Sequence, residues 1–74
     1  MQIAIKLFAT LRKGRFDMAA MEFPVGTTVN DIVRKLAIPE DEITLIFING
    51  RHSELASAPQ EGDTVALFPA VGGG

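Results

Sequence analysis

Only one stretch of this sequence carries the period of an amphipathic helix, and it is short. Val29, Ile32, Val33 and Leu36 fall at i, i+3, i+4 and i+7, which is one buried helical face. Thr28 stands where an N-cap belongs, and Asp31, three residues on, favours the N-terminal amides. Arg34 and Lys35 suit the negative end of the helix dipole, and Pro39 cannot continue the helix. Glycine and proline cut the rest into short segments. In a chain of 74 residues with no cysteine, packing alone must hold the fold, so the strands have one helix to pack against. A domain of this size buries only about 60% of its unfolded surface. Nearly all of its 47% hydrophobic residues are then needed for the core, and a deep catalytic cavity has little room.

The segments around the helix read as strands. Gln2–Phe8 sets Ile3, Ile5 and Leu7 against Ala4, Lys6 and Phe8 with period two. Ala9–Gly14 is a polar connector with room for one helical turn. Arg15–Val25 is a second strand whose faces disagree: Phe16, Met18 and Ala20 share one side, Met21 and Phe23 the other. That switch predicts a bulge or bend near Ala20. Glu40–Glu42 is a solvated turn, and Ile43–Ile48 is an apolar run of buried-strand length. Asn49-Gly50 is a type I′ hairpin signal, with a short return strand at Arg51–Ser53. Pro59–Asp63 is a turn. Thr64–Phe68 is the last strand, with Val65 and Leu67 on one face and Ala66 and Phe68 on the other, and Pro69 ends its ladder. The expected fold is α+β: a roll in which a mixed sheet of four to five strands wraps one main helix. The first two strands form a hairpin, and the first and last lie side by side in the centre. No repeat or linker divides residues 1–74, which read as a single domain with a tail from 69 to 74.

Composition removes several function classes. A net charge of −2 and a pI near 5.2 argue against nucleic acid as a partner. The charge is uneven, with six cations against three carboxylates in residues 1–37 and one against six in 38–74; in a compact domain this amounts to a surface dipole. No apolar stretch approaches the ~20 residues of a membrane span. Met1–Ile5 lacks the features of a signal peptide, so a cytoplasmic location is expected. The lack of cysteine excludes thiolate nucleophiles and zinc–thiolate sites, and a single histidine excludes a multi-histidine metal site.

Side-chain chemistry is equally sparse. His52 and Ser53 are neighbours on a strand and point to opposite faces, so they form no nucleophile–base pair. Glu61 and Asp63, like Glu40, Asp41 and Glu42, cap or solvate turns. Arg12, Lys13 and Arg15 cluster in a loop, open as an anion site or simply solvated. Gly14 and Gly26 are isolated and form no phosphate-cradling motif. Two features resist so plain a reading. Phe8 and Phe68 lie on the faces opposite the aliphatic rows, beside each other if the end strands pair. Such an exposed pair suits a protein interface, the alternative being a small cluster covered by a loop. The chain also ends Phe68-Pro69-Ala70-Val71-Gly72-Gly73-Gly74, with three of its seven glycines in the last three positions. A tail without side chains can thread a narrow channel, and six residues from Pro69 reach at most ~20 Å. The reactive group at its tip is then the terminal carboxylate.

With these residues the chain resembles the ubiquitin-like sulfur carriers of the MoaD/ThiS group, which have the β-grasp fold. The likeness covers essentially the whole chain. It is carried by Leu7-Phe8-Ala9-Thr10-Leu11-Arg12, Thr28-Val29-Asn30-Asp31-Ile32, Ile48-Asn49-Gly50 and Gly62–Pro69 leading into the glycines. The opening motif and the Phe-Pro before the tail are more similar to the molybdopterin synthase small subunit than to the thiamine carrier. The resemblance implies that Gly74 is the site of acyl-adenylate and thiocarboxylate formation, and that Gly73 and Gly72 thread the tail. It implies a partner face including Phe8, Phe68, Pro69, Val71 and His52, with His52 where a third apolar residue is more usual. The ending has three glycines where two are usual. The implied partners are a ubiquitin-activating-type adenylyltransferase that uses ATP, a sulfur donor protein and a molybdopterin synthase large subunit. The chain itself is then a carrier with no bound cofactor, rather than an enzyme. Other products (thiamine, a thiolated tRNA base, cysteine) and a ubiquitin-like interaction module or modifier without sulfur chemistry stand as alternatives.

Overall fold

The computed structural model describes residues 1–70. Its elements are β1 (Gln2–Leu7), β2 (Met18–Glu22), α1 (Val29–Lys35), β3 (Ile43–Ile48), β4 (Arg51–Ser53) and β5 (Thr64–Pro69), with 3-10 turns at Ala9–Arg12 and Glu40–Glu42. The strands form one mixed sheet in the order β2-β1-β5-β3-β4. β1 and β5 pair in parallel at the centre, from Ala4 opposite Thr64 to Leu7 opposite Leu67. The other pairings are antiparallel. This is the roll expected from the residue pattern, with the chain's first and last strands adjacent.

Alternation decides where the core sits. Ile3, Ile5 and Leu7 of β1, Val65 and Leu67 of β5, and Val29, Ile32 and Val33 of α1 are each no more than 2% exposed. Leu11, Phe23, Ile38 and Ile46 complete the cluster. The helix is short, so its ends matter. Asp31 N–H donates to the Thr28 hydroxyl at 3.2 Å, and Thr28 N–H donates to the Asp31 carboxylate at 3.0 Å, a reciprocal capping box. The Thr28 amide, and after it the Thr28 hydroxyl, hold the Asp31 carboxyl below its ordinary 3.8. At the other end Ile38 N–H reaches Val33 C=O at 3.1 Å and Ala37 N–H reaches Arg34 C=O at 3.0 Å. This is a Schellman closure with Ala37 at φ 56°, where glycine is more usual. The Arg15 guanidinium bridges to this end, donating to the carbonyls of Leu36, Ala37 and Leu11 at 3.3, 3.2 and 3.1 Å.

Three expectations change. β2 has no bulge near Ala20, and its register with β1 runs unbroken from Gln2 opposite Glu22 to Lys6 opposite Met18. Ala19, Met21 and Phe23 take the helix side. Phe16 reaches the core from outside the strand, where alternation does not bind it. The irregularity falls instead in β3, between Ile43 and Leu45 against β5. It turns Ile43 back to the core margin while Leu45 faces out, 40% exposed. β3 is therefore open on one side rather than buried on both. Finally, β5 extends one residue further than expected, and Pro69 is its buried last member, opposite Ile43.

Candidate functional site

α1 covers one face of the sheet, and the other face collects aromatic rings. Phe8 follows β1 with extended dihedrals (φ −119°, ψ 149°), so it continues the alternation and points with Ala4 and Lys6. Its amide donates to Leu67 C=O at 3.2 Å, which fixes it beside β5. The Phe8 and Phe68 rings stack with centroids 4.1 Å apart and planes within 11°. Phe47 of β3 meets Phe68 edge-on at 5.6 Å, and His52, its partner across the β3–β4 hairpin, meets Phe47 edge-on at 5.9 Å. A row of four rings thus crosses the sheet in the order Phe8, Phe68, Phe47, His52. The three phenylalanines are half-buried and His52 is exposed. A groove of about 390 Å³ runs along the three phenylalanines, lined by strand residues and the Asn49-Gly50 turn. The rings shield one another, and among the described residues the groove is lined by strands and one turn, with no loop crossing it.

The turn holds this row in register. Asn49 and Gly50 have φ of 52° and 79°, the type I′ geometry expected of Asn-Gly. The Asn49 side chain also reaches β5, its amide donating to Asp63 at 2.8 Å and its carbonyl accepting from Thr64 N–H at 2.9 Å. Asp63 in turn accepts Gln60 N–H at 2.8 Å. The Gln60 amide and then the Asn49 side chain hold the Asp63 carboxyl below its ordinary 3.8. The clasp thereby fixes the strand carrying Phe47 against the strand carrying Phe68.

The remaining sequence candidates separate. Ser53 donates to Arg51 C=O and not to His52. Glu61 accepts Gln2 N–H at 3.0 Å, a cap on β1. Arg15 is a staple between loop and helix rather than an anion ligand, and Arg12 lies 4.0 Å from Asp17. Asp41 and Glu42 line a shallow groove with Thr10, Pro69 and Ala70 at the end of β5. Pro69 is buried, so it anchors the end of β5 instead of joining the exposed aromatic face. Val71, Gly72, Gly73 and Gly74 lie outside the described residues. Among the described residues no three His, Asp or Glu side chains cluster as a metal site, and no helix is long and apolar enough to cross a membrane. Sequence reasoning missed Phe47. The signal was available: a two-residue turn at Asn49-Gly50 pairs Ile48 with Arg51 and hence Phe47 with His52.

The ThiS family model matches residues 5–74. The crystal structure of SAMP1 from Haloferax volcanii is similar over the full length of both chains, with 27% identity and a TM-score of 0.78. A putative molybdopterin converting factor, subunit 1, from Pyrococcus furiosus is 26% identical over 96% of this chain and 99% of its own, with a TM-score of 0.77. For the fold alone, a complex of subunits 1 and 2 of molybdopterin-converting factor from Helicobacter pylori matches at 17% identity, with full coverage of both chains and a TM-score of 0.68. No curated protein sequence matches the chain. The five-stranded mixed sheet with one helix is the β-grasp fold of these structures.

Proposed function

The chain belongs to the ThiS family of ubiquitin-like sulfur carriers, and from that premise we propose that it carries sulfur as a thiocarboxylate on Gly74, for molybdopterin synthesis. The observation that carries the reading is the stacked Phe8–Phe68 pair, extended by Phe47, on the uncovered face of β5, the strand that leads toward the terminal glycines. A partner that docks on those rings holds the domain while the glycine end enters its active site. A terminal carboxylate, ionised at pH 7 with a pKa of about 3.5, is a poor electrophile. In the proposed cycle its oxygen attacks the α-phosphorus of ATP on an adenylyltransferase and pyrophosphate leaves. Hydrosulfide supplied by a donor protein then attacks the acyl carbon, the acyl–oxygen bond to AMP breaks, AMP leaves, and a thiocarboxylate remains. The catalytic groups belong to the partners, and ATP is theirs to bind.

Two things favour molybdopterin as the destination: the likeness to the Pyrococcus subunit 1 and the Leu7–Arg12 and Phe68-Pro69 motifs. The recipient is then a large synthase subunit; the Helicobacter structure is a complex of subunits 1 and 2 of its own molybdopterin-converting factor. The similarity to SAMP1, a small archaeal modifier protein, favours a second reading in which the activated glycine is joined to other proteins. Intact-mass measurement tests the proposal, using protein incubated with its adenylyltransferase, ATP and a sulfur source. The expected result is one oxygen-to-sulfur exchange in the C-terminal peptide, lost when Gly73 and Gly74 are removed. The cofactor precursor should discharge the sulfur; transfer of the whole chain to lysines supports the modifier reading instead. The described core lies entirely within residues 3–67. Gly73→Val should therefore shift stability by no more than about 0.5 kcal/mol while abolishing AMP formation, because small misplacement of a reacting group costs on the order of 100-fold.

A further inference from the structure

The two edges of the sheet differ. β4 closes one edge with only three residues, Arg51–Ser53, and a cation among them. β2 leaves Met18-Ala19-Ala20-Met21-Glu22 along the other, with no lysine, proline or bulge to guard it. The direction of its free hydrogen-bonding groups follows from its pairing. Leu7 N–H donates to Asp17 C=O at 2.9 Å and Phe23 N–H to Met1 C=O at 2.8 Å. Ile5 with Ala19 and Ile3 with Met21 lie between them in register. In an antiparallel ladder bonded pairs alternate with unbonded ones, so Asp17, Ala19, Met21 and Phe23 turn their backbone groups toward β1. Met18, Ala20 and Glu22 turn theirs outward.

Those three residues are symmetric about Ala20. We propose that β2 is a self-pairing edge, at which two copies of this chain join antiparallel through Met18, Ala20 and Glu22. Ala20 then faces Ala20 of the second copy, and Met18 faces Glu22 on either side, giving about six hydrogen bonds across the join. Charge does not oppose that register. Glu22 faces Met18 and Asp17 faces Phe23, so no carboxylate meets a carboxylate. The exposed Glu22 of one copy comes to the end where Arg12 of the other stands beside Asp17. Met18, 58% exposed, gains cover from the second copy. The symmetry axis is perpendicular to the sheet, so both aromatic rows remain uncovered on one side. The two copies of β5 lie about 24 Å apart, five strand spacings, and point in opposite directions. So small an interface lies at the weak, transient end of the range, below about 1,200 Å².

Sedimentation equilibrium of the intact chain from about 10 μM to about 1 mM tests this. The mass should rise from 8.0 kDa toward twice that value. Amide exchange should slow with concentration at Met18, Ala20 and Glu22, and stay unchanged at Ala19 and Met21. Ala20→Lys and Ala20→Glu each place like charges face to face on the axis and should each weaken association severalfold; an equimolar mixture of the two should restore it. The Ala20 side chain is exposed, so both variants are expected to fold, and far-UV circular dichroism confirms it. A monomer at every concentration overturns the proposal, even if the edge accepts a strand from another protein. So does a dimer that neither charge variant weakens, or one that slows exchange elsewhere than along β2.

Discussion

The two faces of the sheet are built from the same strands and serve opposite ends. On the helix side, Ile3, Ile5, Leu7, Val65 and Leu67 are aliphatic and almost wholly out of water. On the other side, the alternate residues of those strands and of β3 bring Phe8, Phe68 and Phe47 together and leave them half-exposed. A domain of this size has little stabilising surface to spare. Three of its five phenylalanines nevertheless stand where no helix covers them. On the proposed function, burial of apolar residues is divided between folding and association, one sheet face to each.

The sharpest way to break that division is to cut into each face in turn. Ile5→Ala on the helix side should cost about 2–5 kcal/mol, through lost transfer energy and the cavity left behind. That is a large part of the stability of so small a domain, and urea denaturation will read it directly. Phe68→Ala on the open side should weaken docking to the proposed adenylyltransferase or recipient subunit by about 1–3 kcal/mol, as interface hot spots do. Its cost in folding stability should be the smaller of the two. Calorimetric titration beside denaturation of the same variant separates them, and equal losses would make the open side a second core.

The smallest effect separates the faces by acid. Asp31 holds the helix and Asp63 holds the hairpin that carries Phe47, and both carboxyls are depressed in the folded state. A depressed folded value contributes stability above the unfolded 3.8, which is lost as pH falls through the folded value. Stability should therefore decline from about pH 4 downward, by a modest amount because Asp31 is exposed and Asp63 only half-buried. Asp63→Ala should flatten part of that decline and loosen Phe47, whereas Asp31→Ala should flatten it without changing the aromatic row. Denaturation between pH 6 and pH 2, with ring-proton spectra of the phenylalanines, distinguishes the two.

Local signals carried most of this architecture. The cap at Thr28, the helical spacing of Val29 to Leu36, the period-two rows of β1 and β5 and the Asn49-Gly50 turn each involve neighbours in sequence, and each stands as expected. The Phe8–Phe68 contact followed from adding one assumption, that the end strands pair. Misplaced features had no local signature. Ile43–Ile48 is apolar on both faces, so its alternation hides both the register shift at Leu45 and the outward turn of Phe47. Arg15 reads as a solvated loop cation until the fold brings the Leu36 and Ala37 carbonyls within 3.3 Å. The clasp from Asn49 to Asp63 spans fourteen residues and no periodicity announces it.

The parallel pairing of β1 with β5 also governs when the molecule can form. Ala4 to Leu7 are bonded to Thr64 to Leu67, so the central ladder joins opposite ends of the chain. The entropy of closing so long a loop must be met before the ladder contributes, which slows folding relative to a domain of local contacts. β1 and β3 are joined only through β5, which lies between them. During synthesis the ribosome must release Thr64 to Pro69 before the sheet can close. The structured domain therefore arises only in chains already elongated through the strand that leads to the glycines.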